Sequence, residues 1–495
     1  MHFIDKVFPR WEKKNFFTLL GGIVLAVAIL LAPALLKFVF SKIPYSAGSS
    51  KPSWAYLIFA HLLFLVQVFF FFKHPACRGL NRHARIAAGF LLLYLLGCLA
   101  SPLLTGCYSK RTFQEILKLV SAASLFFLVQ YCSYKGSCRG VLRAVAFLGC
   151  LIATGEALVG LIQYIFQGDI GLQWAGEKHL QAGGSFASVK LMGGVRWFGD
   201  SGTGALWVLR SYGTFDHPNH LGGVLVAGSL LTCHLLCHAQ SKKFLLTMAL
   251  ALQALALVTT FSRSAWLGIV LGVFVLLACR IARQSGGVLS RCRGLWRGER
   301  TLAAALCISA CMALFVFHEQ ILQRCSFRER YKEGTNAPGE NLPKASLQYL
   351  KDIDIGERVQ FLEIAQAMVL KHPWQGVGFQ EYVRQMPHFA TSGSNPLKPQ
   401  EVQRLAVHNI YMLTAAEIGL PFAASFVLFI LLTALQGMRN ERQDALLAIW
   451  VAFALIGFMD NYLLTWQAGR VLFFAIASIL LSYSTLLRGG LFRSS

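Results

Sequence analysis

GERVQFLEIAQAMVLKHPWQGVGFQEYV (Gly356–Val383) and AVHNIYMLTAAEIGLP (Ala406–Pro421) lie in the longest polar interruption of an oily chain, from His318 to Asn409. The interruption opens on a basic run, Arg324, Arg328, Arg330 and Lys332. In the first stretch Val359, Leu362, Ile364, Ala365, Met368 and Val369 recur with helical rather than strand period. A helix is therefore expected from Glu357–Arg358 onward. HPWQGVG (His372–Gly378) stops it: the residue before Pro373 is biased out of the helical region, and Gly376 and Gly378 allow a turn. His372 is read as structural. In the second stretch the chain re-enters an apolar helix after His408–Asn409, runs to Glu417, and breaks or bends at Gly419-Leu420-Pro421. A connection of about ninety residues between apolar helices is far above usual lengths and is expected to carry function.

Outward from that segment, the composition sets the class. The 495 residues are 55% hydrophobic and only 14% charged, with mean hydropathy +0.54. A soluble chain carries about a quarter charged residues. Runs long enough to cross a bilayer recur near 16–40, 54–72, 84–104, 112–132, 141–167, 218–238, 243–261, 264–281, 301–317, 409–437, 444–463 and 468–487. The expected fold is all-α: a polytopic membrane bundle of about twelve helices with a large helical loop. An outer-membrane barrel would instead show weak alternating strands of about ten residues. The basic N-terminus, Met1–Asn15, precedes an apolar run, Phe16–Phe40, that is too long for a signal peptide and is read as a retained first span.

The net charge of +23 reads mostly as orientation. With the N-terminus cytoplasmic, the inside segments hold 23 Lys and Arg, from Lys6 to Arg493, and the short outside loops hold 5 (Lys42, Lys51, Lys110, Arg111, Arg263). That asymmetry places both termini inside. The division expected is helices 1–5 over 1–167, an outer loop at 168–217, helices 6–9 over 218–317, the large outer loop at 318–408, and helices 10–12 over 409–495. The two outer loops hold another fifteen Lys and Arg, a concentration of positive charge suited to an anionic ligand rather than to nucleic acid.

Particular residues stand out on the expected outer side. Asp216 is placed to cap the helix that begins at Pro218, leaving His217, Asn219 and His220 at its mouth. The tight turn TTFSRSAW (Thr259–Trp266) holds Arg263 at the interface, where a cation needs a partner or an anion. Asp460 and Arg470 flank the last outer turn and are expected to pair; Glu417 either caps the nearby break or makes a buried polar contact. The 13 cysteines show no disulfide spacing, and Cys233-His234 with Cys237-His238 lack a second ligand pair for zinc. No metal and no cofactor is expected.

GTFDHPNHLGG (Gly213–Gly223), TTFSRSAWLG (Thr259–Gly268), ERVQFLEIAQAMVLKHPWQGVGFQEY (Glu357–Tyr382) and VHNIYMLTAAEIGL (Val407–Leu420) together resemble the O-antigen ligase and O-antigen polymerase superfamily. The resemblance covers roughly residues 200–430. It implies an integral-membrane glycosyltransferase of the GT-C type in the bacterial inner membrane, with its site on the periplasmic face. Such an enzyme moves a glycan, with inversion and without metal, from undecaprenyl diphosphate to an acceptor hydroxyl. For a ligase the acceptor is a lipid A-core sugar. By motif match the catalytic histidine falls on His408, and the diphosphate-binding arginines fall on Arg263, Arg358 and, more loosely, Arg210. His217, Asn219, Asn409 and Glu417 are supporting residues. The partners implied are the lipid-linked donor, the lipid A-core acceptor and membrane lipid. Polymerase and protein O-oligosaccharyltransferase remain as alternatives within the superfamily. A transporter of lipid-linked glycans is the alternative outside it, although the internal repeat such proteins usually show is missing.

Overall fold

A computed structural model describes residues 82–107, 110–135, 138–175, 177–180, 188–192, 205–239, 241–283, 300–325, 354–389, 405–439 and 443–482. The expected spans at 16–40 and 54–72 lie outside these residues, as do most of 181–204, 326–353 and 390–404. The other ten expected spans coincide with helices. Among the described residues five helices are long and apolar enough to cross a membrane: Arg82–Thr105, Val145–Phe166, Pro218–His238, Arg263–Ala282 and Leu420–Met438. The chain divides into two compact units, one of residues 1–142, 354–443 and 457–495, the other of 143–353 and 444–456.

The first unit contains helices α1 (Arg82–Thr105) and α2 (Lys110–Lys135). Helix α3 (Cys138–Phe166) begins in it and lies mostly in the second unit. Helix α1 packs along a later helix, Leu420–Met438, with Gly97 taking the Phe422 ring where a side chain would collide with it. Small residues at such crossings let helices approach closely. Helix α2 runs along the last helix, Gln467–Ser482. An aromatic core joins them: Tyr94 to Phe426 at 4.7 Å between centroids, Phe426 to Phe473 at 5.9 Å. Arg470 is fully buried here and ion-pairs with Glu115 at 2.7 Å. The sequence suggested Asp460 as its partner; Asp460 lies instead beside His408, as described below.

The second unit is built around α4 (Pro218–His238). Helices α5 (Lys243–Thr259), α6 (Arg263–Ala282) and α7 (Arg300–Cys325) pack on it. The expectation of helices alone fails at one place. Strands β1 (Ser188–Met192) and β2 (Ala205–Leu209) pair antiparallel, Ser188 opposite Leu209 and Met192 opposite Ala205. A short β-rich run between two Gly-rich stretches carries little helical or strand period, so nothing in its pattern announced a hairpin.

Returning to the first unit, α8 (Asp354–Lys371) fills the expected position. It buries Phe361, Ile364, Ala365 and Met368, while Val359 and Leu362, expected on the same face, are 49% and 40% exposed. The buried face meets Leu413 and Ala416 of α10 (Ile410–Ile418) together with Val377, Tyr382 and Met386. Each large side chain so buried stabilises the fold by about 1.5–3 kcal/mol. Tyr382 opens the short α9 (Tyr382–Gln385), and its hydroxyl donates to the Phe361 carbonyl at 2.7 Å. Burial pushes this phenol far above its ordinary range, so it stays a donor. Helix α11 (Leu420–Met438) follows α10 after a break at Gly419, and α12 (Asp444–Met459), α13 (Tyr462–Thr465) and α14 (Gln467–Ser482) complete the chain order. The unit boundary falls inside α12, after Ile456.

Candidate functional site

The first unit gathers two of the expected site residues on three consecutive residues, Met459, Asp460 and Asn461, where α12 gives way to α13. Arg358 of α8 donates from Nη1 to the Met459 carbonyl at 2.8 Å. A guanidinium at a helix C-terminus meets carbonyls that have no partner within the helix and the negative end of its dipole. Nδ1 of His408 stands 3.6 Å from Oδ1 of Asp460, whose side chain is 5% exposed against 25% for the histidine. Asp460 Oδ1 also accepts from the Asn461 backbone N–H at 2.8 Å, which fixes the carboxylate. Asn461 in turn donates from Nδ2 to the carbonyls of Ala406 (3.2 Å) and Val407 (3.0 Å), the two residues before His408. Asn409, just after it, caps α10: its Oδ1 accepts from the N–H groups of Tyr411 (2.9 Å) and Met412 (3.0 Å). The histidine is thus held from both sides along the chain, with one ring nitrogen facing a carboxylate.

The HPWQGVG turn is stitched to the far end of α10. Val377 N–H donates to the Ala416 carbonyl (2.8 Å), Gly378 N–H to the Glu417 carbonyl (2.9 Å), and Leu420 N–H to the Pro373 carbonyl (2.8 Å). Gly376 (φ 68°) lies against the Glu417 backbone and Gly419 (φ 86°) against that of Trp374, approaches that a Cβ would block. The buried Glu417 side chain accepts backbone hydrogen bonds from Gln380 and Tyr382. Of the two roles the sequence left open for Glu417, the buried polar contact is the one observed.

In the second unit, Arg210 links two of the sequence motifs. Its Nε donates to the Thr260 carbonyl and its Nη2 to Asn219 Oδ1, both at 2.7 Å, and the side chain is buried. Ser211 reinforces the tie, its N–H donating to the Thr259 carbonyl at 3.0 Å. Glu156, an isolated charge in an apolar helix, accepts from the Thr214 N–H (2.9 Å) and hydroxyl (2.7 Å), fixing the GTFD turn. Gln163 accepts from the N–H groups of Tyr212 (3.1 Å) and Gly213 (2.8 Å). Burial pushes the Tyr212 phenol up to about 12, against the pull of Arg210. The cap of α4 is His217 rather than Asp216: its Nδ1 accepts from Asn219 N–H at 3.1 Å, and Asp216 pairs with Lys178 at 3.4 Å. His217, one residue later than expected, has the extended backbone (φ −151°, ψ 143°) of the cap position. Arg263 is the first residue of α6, half-buried. A cation there opposes the helix dipole, which favours an anion at this end.

Asp460 and Asn461 are the site residues that sequence reading missed. The available signal is an adjacent Asp-Asn pair interrupting an apolar run; from sequence, Asp460 is expected to pair with Arg470. Chemically, a histidine with a carboxylate on one nitrogen can accept a proton on the other, and arginines can neutralise a leaving phosphate. Among the described residues no group of three or more His, Cys, Asp or Glu side chains is arranged to hold a metal ion.

Residues 248–427 match a family model described as O-antigen ligase. No curated protein matches the chain. The matched region takes in the Arg263 turn, α8 with Arg358, the HPWQGVG turn and the His408–Asn409 helix start; Arg210, His217, Asn219 and Asp460 lie outside it. The match agrees with the resemblance read from the motifs, and the apolar helices among the described residues are consistent with a helical membrane protein.

Proposed function

We propose, on the premise that this chain carries an O-antigen ligase region, that it transfers a glycan from undecaprenyl diphosphate to a lipid A-core sugar hydroxyl on the periplasmic face of the bacterial inner membrane. The observation that carries the reading is the His408–Asp460 pair on the same three residues that anchor Arg358. The carboxylate favours the tautomer with hydrogen on Nδ1, leaving the Nε2 lone pair to take the proton of the acceptor hydroxyl. At 3.6 Å the pair is longer than a hydrogen bond, as catalytic contacts often are before substrate arrives.

In the step proposed, the acceptor oxygen attacks the anomeric carbon from the face opposite the diphosphate. The new glycosidic bond forms, the carbon–oxygen bond to the carrier breaks, and the configuration inverts. His408 holds the proton; the diphosphate leaves with both electrons of the broken bond. Arg263 and Arg358 neutralise that charge, a task guanidinium performs bidentately and at any physiological pH. Arg210 supports Arg263 by holding the Thr260 carbonyl in its turn. Both chain termini are cytoplasmic in this scheme, and the segments 168–217 and 318–408 are periplasmic.

The testing experiment is deletion of the gene in its host and analysis of the lipopolysaccharide. Bare core with polymer accumulating on the carrier is the expected result; core bearing a single repeat makes the chain a polymerase. Transfer by the purified chain from lipid-linked glycan to isolated lipid A-core, undiminished by EDTA, is the biochemical counterpart. No transfer to any acceptor, with carrier moved across the bilayer instead, overturns the enzyme reading.

A further inference from the structure

We propose that Leu370, Trp374 and Leu420 form a membrane-interface anchor that beds into the headgroup–acyl boundary of the bilayer beside the start of α11. Leu370 is 74% exposed, Trp374 73% and Leu420 48%. Single exposed apolar residues are ordinary on any surface; these three are set apart by their grouping and their place. Leu420 is the first residue of α11, a helix long and apolar enough to cross a membrane. Its N–H donates to the Pro373 carbonyl at 2.8 Å, and Gly419 abuts the Trp374 carbonyl. The turn that carries Trp374 is therefore stitched to the end of that helix.

The exposed side of α11 continues apolar through Leu428 (40%), Leu431 (53%) and Leu435 (51%), a face suited to acyl chains. The chemistry changes at the Trp374 end. Lys371 is exposed there, and Gln375 with it. Leucine, tryptophan and lysine close together in sequence are the composition of a membrane boundary, where the indole body is apolar and its N–H polar; the Lys371 ammonium lies 5.2 Å from the centroid of the Phe389 ring. A protein partner would not need to follow the end of an apolar helix in this way, so the occupant is the bilayer.

The consequence is mechanical. The anchor sets the height of the HPWQGVG turn against the membrane. That turn carries α8, with Arg358, and fastens α10, whose cap Asn409 follows His408. The inference depends on the chain lying in a membrane and not on the transfer reaction, so either can fail alone.

The test is site-specific photocrosslinking of the full chain in phospholipid nanodiscs, with benzoylphenylalanine at position 374 and, separately, at 370. Phospholipid adducts at both positions are expected. Adducts to a second copy or to another segment of this chain, or no adduct beyond water, overturn the proposal. The position-370 variant serves alone where the position-374 variant does not fold. In parallel, Trp374→Ser should leave thermal unfolding in detergent unchanged and lower it by several degrees in nanodiscs; equal unfolding in both media counts against the anchor.

Discussion

His408 and Asp460 face each other across 3.6 Å although they stand 52 positions apart in the chain, and the intervening sequence includes the three apolar helices α10, α11 and α12. The carboxylate is buried and fixed by the Asn461 N–H, so the histidine is the member with room to move.

That asymmetry makes Asp460→Asn a test of orientation. The amide keeps the size and an oxygen for the Asn461 N–H, and it removes the charge that selects the tautomer. Transfer should fall by about 10²-fold or more, with carrier affinity unchanged and stability within about 1 kcal/mol. Steady-state transfer and carrier binding on the same purified variant decide it; wild-type turnover removes Asp460 from the reaction.

His408→Ala should lose about 10²–10⁴-fold, the usual contribution of general-base assistance. Residues that act as a unit are not additive. The double variant His408→Ala with Asp460→Asn should therefore be no slower than His408→Ala alone. A double variant slower by the product of the two factors would show that Asp460 acts through some other group.

Asn461→Ala leaves the Ala406 and Val407 carbonyls without their side-chain donor. An unsatisfied buried acceptor costs about 1–3 kcal/mol. The expected result is a lower unfolding temperature together with a slower transfer, because the chain just before His408 loses its tether. Unchanged transfer beside clear destabilisation would assign Asn461 to folding alone.

Much of this was legible in the sequence because apolar runs mark the spans and the hydrophobic period marks a helix such as α8 in the loop between them. The α8 helix, its stop at HPWQGVG and the break at Gly419 were readable from Pro, Gly and spacing. The partners of buried charges were not. Arg470 lay nearer in sequence to Asp460 than to Glu115, yet it pairs with Glu115, which is brought in by α2 packing along α14. Long-range packing decides such choices, and spacing carries no trace of it. The same reason hid Asp460 as the partner of His408. The exposure of Val359 and Leu362 on α8 has a related cause: the helical period groups the apolar residues but does not say which of them meet α10.

Arg263→Lys and Arg358→Lys should separate binding from scaffolding. Lysine keeps the charge and loses the bidentate fork. Replacement of Arg263, the first residue of α6, should weaken carrier binding by about tenfold or more. Arg358 also donates to the Met459 carbonyl, so its replacement should reduce stability as well. Carrier titration and thermal unfolding of each variant check this; normal carrier affinity in Arg263→Lys would exclude a bidentate contact.

Gly419→Ala tests whether the break between α10 and α11 is fixed by the HPWQGVG turn. Gly419 has φ 86° and ψ 163°, a conformation an L side chain rarely adopts. An added methyl would strike the Trp374 carbonyl and the Gln375 nitrogen, both main-chain atoms held by the Leu420–Pro373 hydrogen bond and its neighbours. No flexible side chain is there to yield. The backbone strain alone is about 1–3 kcal/mol, before any overlap. The variant should unfold at a clearly lower temperature and transfer glycan slowly, since a shift at Gly419 moves α10 and with it the capped start beside His408. Gly89→Ala, in an open stretch of α1 with nothing near its added methyl, should be neutral by both measures. Equal stability of the two variants would mean that the turn is not fastened to the helix break.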